Sequence, residues 1–263
     1  MGTPTDPGFL HPDFASRGSL AAALEVAAKQ LALAIPVTSA ADTSATSATS
    51  DAALFASVES RLPHRNPLRI RARDRERKWS ISGAESFQDL ALLDGHTDDL
   101  AELARAAHAW HTGAALDEIR QAVPFVHLTG RFEVPDRDPV RLTASEWECL
   151  RTEARELVWD WAPAFHALIE AAYAEPALRR LYPFTSHWAL RFATSTSRQT
   201  DDAVGPVVIT HSAGRYSVRA DPATDDVLAE ATSAAGAIAA TMRLMPADIT
   251  GRRNEPGHHA VGR

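Results

Sequence analysis

Leu68-Arg69-Ile70-Arg71-Ala72-Arg73 and, shortly after it, Lys78-Trp79-Ser80-Ile81-Ser82 decide the fold. Both runs alternate apolar and polar residues strictly, which is the period of a strand with one buried face. The intervening Asp74 to Arg77 suit a turn, so the two runs read as an antiparallel hairpin. Leu90 to Leu93 fits a third strand, ended by Asp94-Gly95. Thr97 then reads as an N-cap, with Asp98 and Asp99 placing negative charge at the positive end of a helix. Leu100, Leu103, Ala104, Ala107 and either Trp110 or His111 make its apolar face, and Gly113 is a suitable stop. Consecutive strands followed by a helix point to an α+β fold rather than to alternating βαβ units.

The same order returns further on. Trp188, Leu190 and Phe192 alternate with Ala189, Arg191 and Ala193. Pro206 to Thr210 and Arg215 to Arg219 flank Ser212-Ala213-Gly214, a hairpin signal. Asp225 to Leu244 reads as a last helix. Residues 67–112 and 187–245 thus both read strand, strand, possible strand, helix, with too few identities to mark a duplication.

Helical patterns fill the space between. Leu116 to Val123 suits a short helix closed by Pro124. Thr143-Ala144-Ser145-Glu146 has the form of a capping box, and Trp147, Leu150, Ala154, Leu157 and Val158 follow at helical spacing. Pro163 suits the first turn of a helix carrying Phe165, Leu168, Ile169 and Tyr173, and Pro176 can start a third. The expected architecture is α+β, with two small antiparallel-sheet and helix lobes joined by a central helical segment.

The expected organisation has five parts. Residues 1–37 carry an N-terminal docking helix, with Leu20, Leu24, Ala27, Ala28 and Leu31 on one face. Residues 38–53 offer only alanine as apolar surface and read as a flexible linker. Residues 54–135 make the first lobe, residues 136–245 the helices and second lobe, and residues 246–263 a disordered tail.

Composition bounds the function. The chain has 263 residues, and 27 bases against 34 acids give a formal charge of −7, which argues against a whole-surface affinity for nucleic acid or anionic lipid. The single cysteine, Cys149, excludes an internal disulfide and a cysteine-rich zinc site. Met1 to Phe14 lacks the basic cluster and apolar core of a secretory signal, so the cytoplasm is the expected location. Neither a phosphate-binding glycine loop, nor a dinucleotide fingerprint, nor a Gly-x-Ser-x-Gly elbow occurs, and no cofactor or metal is expected.

Several residues remain as site candidates. Arg69, Arg71, Arg73, Arg75 and Arg77 share one parity, so they form either a phosphate- or carboxylate-binding stripe or a solvated face that blocks edge pairing. His108 and His111 lie three apart on one helix, which suits either a metal or a helix C-terminal turn. His127, Thr129, Arg131 and Glu133 alternate and would share one strand face, offering base, hydroxyl, cation and carboxylate together. The bland reading of the same four is a polar sheet face with an Arg–Glu pair. His187, beside Thr185 and Ser186, completes the candidate set; adjacent Ser and His do not make a triad. His64 and Arg65 stand at a loop entry between Pro63 and Asn66-Pro67, where ligand contact and turn read alike.

Gly95-His96-Thr97-Asp98-Asp99-Leu100, Pro124 to Pro135 and Leu181 to Phe192 together resemble an actinobacterial domain-of-unknown-function family labelled "natural product biosynthesis protein". The resemblance extends over residues 8 to 245, apart from 38–53. It implies a setting in natural product biosynthesis and carries over no catalytic residue. Two functions stay open: an accessory protein that binds a partner enzyme, a peptide or a pathway intermediate, and an uncatalogued enzyme with its site around His127, Arg131, Glu133 and His187.

Overall fold

The computed structural model describes residues 17–39, 52–73, 76–196, 203–221, 223 and 226–250. The fold is α+β with two antiparallel sheets. The chain divides between Pro135 and Asp136 into two units.

In the first unit, helix α1 (Leu20–Gln30) starts at Ser19, whose hydroxyl accepts from the Ala22 N–H. Six strands follow: β1 (Val37–Ser39), β2 (Phe55–Val58), β3 (Leu68–Ala72), β4 (Trp79–Ala84), β5 (Ala91–Thr97) and β6 (Val126–Leu128). They pair antiparallel in chain order, β1 to β6. Helices α2 (Leu100–Thr112) and α3 (Leu116–Ala122) lie between β5 and β6. The alternation in β3 and β4 buries Leu68, Ile70, Ala72, Trp79 and Ile81 in one core with Leu20 and Leu24 of α1 and Leu103 and Trp110 of α2. At roughly 1.5–3 kcal/mol per buried large apolar side chain, that core outweighs any local propensity. Arg69, Arg71, Asp94, His96 and His127 stand exposed on the opposite face.

Three expectations for this unit change. The third strand runs through Asp94-Gly95 to Thr97, because Gly95 allows β5 to approach Phe125, whose carbonyl oxygen would lie 2.6 Å from an added Cβ. Thr97 therefore still pairs with Trp79, and Asp99 caps α2 by accepting from the Ala101 N–H. Residues 38–39 belong to β1 rather than to a linker, and 52–54 form a 3-10 turn leading into β2. The linker reading of 40–51 falls outside the described residues. Gly113 does end α2, with φ 80° in the left-handed region.

The second unit begins with α4 (Pro139–Glu156), α5 (Ala162–Ala174) and the single turn α6 (Pro176–Arg179). Strands β7 (Tyr182–Ser186), β8 (Ala189–Ala193), β9 (Ala203–His211), β10 (Arg215–Arg219) and β11 (Val227–Ala231) form its sheet, again in chain order. Helix α7 (Ala234–Leu244) and the turn α8 (Ala247–Thr250) close it. Trp147 of α4, Phe165 and Ile169 of α5, Phe192 of β8, Val208 of β9 and Ile238 of α7 share one core. The Trp147 indole N–H donates to the Arg179 and Leu181 carbonyls, which ties α4 to the start of β7.

Here too the boundaries move. Asp138, not Thr143, caps α4, because Pro139 presets the backbone for a helix one turn earlier. Thr143, Ser145 and Glu146 are interior helix positions and buried. The last helix does not begin near Asp225: Val227–Ala231 pair with β10 as an edge strand, and Ser233 caps α7 at Ala234. Residues 247–250 are helical rather than disordered, and the tail reading of 251–263 lies outside the described residues. Cys149 is buried on α4. No helix among the described residues is long and apolar enough to cross a membrane.

Candidate functional site

Register assembles the outer face of the first sheet. Arg71 of β3 pairs with Ser80 of β4, and Ser80 with His96 of β5, so three polar residues form one row across three strands. The next row runs Ser57, Arg69, Ser82, Asp94, His127 from β2 to β6. Side chains in such rows stand within reach of their neighbours. His127 Nδ1 lies 3.4 Å from Asp94 Oδ1. The Arg71 guanidinium sits 5.2 Å above the Phe55 ring. A hollow of about 650 Å³ opens on this face, lined by Arg71, Arg73, Glu76, Ser80, Asp94 and His96, among others.

Charge on the face is mixed but organised. Arg69 pairs with Asp89, whose carboxyl is held below its ordinary value by that guanidinium and by the Asn66 amide. Arg73 and Lys78 flank Glu76 at 2.8 and 3.0 Å, and the Lys78 hydrogen bond lowers the Glu76 pKa. The arginine stripe is thus realised for Arg69 and Arg71 on β3, continued into the turn by Arg73. Arg75 falls outside the described residues.

The four alternating candidates do not share a strand face. Pairing stops at Leu128, so β6 holds only His127 of the four. Thr129 turns its hydroxyl onto the Ala91 and Leu92 carbonyls at 2.8 and 3.2 Å. Arg131 Nη1 donates to the same Ala91 carbonyl at 3.2 Å. These two residues fasten the chain to the start of β5, and the alternation after Leu128 belongs to a loop.

Glu133 goes elsewhere. Its Oε1 accepts from Arg65 Nε at 2.6 Å, its Oε2 from Arg65 Nη2 at 2.9 Å, and His64 Nε2 stands 3.0 Å from Oε1. The Arg65 side chain is fully buried, and Glu133 is 20 % exposed. Arg65 Nη2 also donates to the Ala114 carbonyl, and the guanidinium packs 4.6 Å from the Trp110 ring. Its Nη1 meets no hydrogen-bond partner among the described residues. Burial pushes the Glu133 carboxyl up, but Arg65 and His64 together outweigh this and hold it below its usual value. A carboxylate held this way stays ionised and makes a poor proton acceptor. The pair welds the His64–Arg65 loop to the far end of the unit. Arg65 was visible in the sequence only as an arginine in a proline-flanked loop, and nothing there pointed to a partner 68 residues away.

His187 lies in the second unit, at the tip of the β7–β8 hairpin. His187 and Trp188 form a two-residue turn with φ values of 50° and 64°, between the paired Ser186 and Ala189. Both central residues in the left-handed region match the turn that suits the twist of a hairpin. His187 Nδ1 is 3.3 Å from Ser186 Oγ. Trp188 packs 5.1 Å from Trp161 and 5.8 Å from Phe165, between ring centroids, so the aromatics here join helix to sheet. His108 and His111 each reach a different backbone carbonyl, Ala34 at 3.1 Å and Glu59 at 2.6 Å. Both imidazoles therefore anchor α2 to neighbouring segments.

Residues 141–252 match a family of unknown function, DUF6193. The match lies within the second unit, a narrower span than the resemblance read from sequence over residues 8 to 245. No curated protein and no solved structure matches the chain.

Proposed function

We propose that this protein is a cytoplasmic accessory component of actinobacterial natural product biosynthesis, and that its first unit binds an acidic segment of a partner enzyme or peptide. The setting rests on the resemblance of residues 95–100, 124–135 and 181–192 to the family labelled with that process. The binding mode rests on one observation: the cross-strand row Arg71–Ser80–His96, bordering a hollow on the outer face of the sheet. Guanidinium groups engage carboxylates in two-point hydrogen bonds, and Arg71 is already stacked on Phe55, which limits the side-chain entropy lost on binding. Against the enzyme reading stands Glu133, which is committed to Arg65 and held ionised, so the His/Arg/Glu set lacks a free acid–base carboxylate.

A fluorescein-labelled oligoglutamate peptide tests this by anisotropy in low salt. Wild type is expected to bind, and Arg71→Glu, a change at an exposed position, to weaken binding by about tenfold or more through charge reversal. Absence of binding by wild type, or equal binding by the variant, would overturn the reading.

A further inference from the structure

The second sheet ends at β11 with an open edge. One side of Val227–Ala231 pairs with β10, and no backbone hydrogen bond joins the other side to any described residue. The other sheet edges are protected in ways that discourage strand pairing. β1 and β6, at the edges of the first sheet, hold three residues each among the described residues. β7, at the far edge of the second sheet, contains Pro183 and is packed by α4. β11 has five residues, no proline and a single charge, Glu230. A bulge between Val218 and Arg219 leaves Leu228 without a partner on β10, and Val227 and Leu228 both stand exposed. The bulge lies at one end of the strand, and Ala229, Glu230 and Ala231 keep regular register.

We infer that β11 pairs with β11 of a second copy of this chain, antiparallel about a two-fold axis at Ala229, and so joins the two five-stranded sheets edge to edge. A pairing that keeps the α7-covered faces of both sheets on one side must be centred on a residue, because side chains alternate with period two. Charge then selects the residue, since like charges directly opposite are destabilising. Centring on Glu230 sets that carboxylate against its own copy, and centring on Leu228 sets Asp226 against Glu230. Centring on Ala229, the middle of the strand, uses all five residues and sets Leu228 against Glu230, so no carboxylate faces another. The helices leave room for this. α7 packs over β9, β10 and β11, which places it inward from the edge. Three strand spacings of about 4.8 Å separate β10 from its copy, about 14 Å in all, more than the roughly 8–10 Å between packed helices. An interface of this kind is self-complementary and closes after two copies. It uses the second unit alone and stands apart from the acidic-segment reading of the first.

Sedimentation velocity of the full chain from about 5 to about 500 µM tests the inference, because dimerisation follows mass action. The mass is expected to rise from 28.4 kDa toward that of two chains. Amide hydrogen exchange across residues 227–231 should slow as the concentration rises. Leu228→Glu, at an exposed position, should weaken association about tenfold or more, because it faces Glu230 of the second copy. Leu228→Lys should retain or strengthen association by setting the opposite charge against the same carboxylate. A single chain at every concentration, association without slower exchange at 227–231, or a loss in Leu228→Lys as large as in Leu228→Glu would each overturn it.

Discussion

Glu133 grips Arg65 through both carboxylate oxygens, although 68 residues separate them and neither lies in a helix or strand. With the arginine side chain fully buried, removing one partner strands the other. Glu133→Gln or Arg65→Ala should destabilise the first unit by about 3–5 kcal/mol, the usual cost of breaking a buried pair. Urea unfolding read by tryptophan fluorescence measures this. A loss below about 1 kcal/mol, typical of a surface pair, would contradict the assignment.

The same pair gives an acid arm to stability. The Glu133 pKa is lowered in the folded chain from an ordinary value of 4.5, so the unfolded state binds its proton first as pH falls. Its stabilising contribution is therefore complete above that value and is lost as pH drops through it toward the folded pKa. Unfolding free energies taken between neutral pH and pH 3 should show a steeper fall for wild type than for Glu133→Gln. Parallel curves would mean that Glu133 titrates alike in both states.

Gly83 of β4 lies under Trp110, with ring atoms 2.7 Å from where a Cβ would stand. Gly83→Ala forces the indole or the strand to move, and overpacking of this kind costs about 1–3 kcal/mol. The displaced ring also carries the hydrogen bond from Trp110 Nε1 to the Asn66 carbonyl and the stacking on Arg65. Near-ultraviolet circular dichroism should change together with the midpoint, and an unchanged spectrum and midpoint would refute the close approach.

His187→Asn should leave stability within about 0.5 kcal/mol, because asparagine tolerates the left-handed conformation that the turn requires. His187→Val should cost clearly more, since a β-branched residue there is strained. Thermal unfolding of the two variants distinguishes them. Equal midpoints would remove the turn as the explanation for this histidine's place.

Much of the fold was readable where a period repeats. Leu68 to Ala72 and Trp79 to Ser82 became β3 and β4 because a single buried face dictates alternation. Boundaries were less readable, because periodicity does not reveal where pairing stops. His127 to Glu133 continue a strand-like alternation past Leu128, yet Thr129 and Arg131 spend their polar groups on Ala91 and Leu92 carbonyls and end the ladder. Val227–Ala231 read as helix because its alanines suit one, and the open edge of β10 drew it into a strand instead. The sites were least readable. Arg71, Ser80 and His96 meet through register, and Arg65 and Glu133 through tertiary packing, neither of which leaves a local spacing to detect.

Both sheets add their strands in the order in which the chain supplies them. Each new strand therefore finds its partner already made as synthesis proceeds, and little chain must be looped out before a pairing is rewarded. Such a layout has low contact order for a sheet protein and favours fast folding. The exception in the first unit is β6, which is separated from its partner β5 by the chain of α2 and α3. Its arrival also brings Glu133 toward the waiting Arg65, so the last strand to join locks the assembly that preceded it.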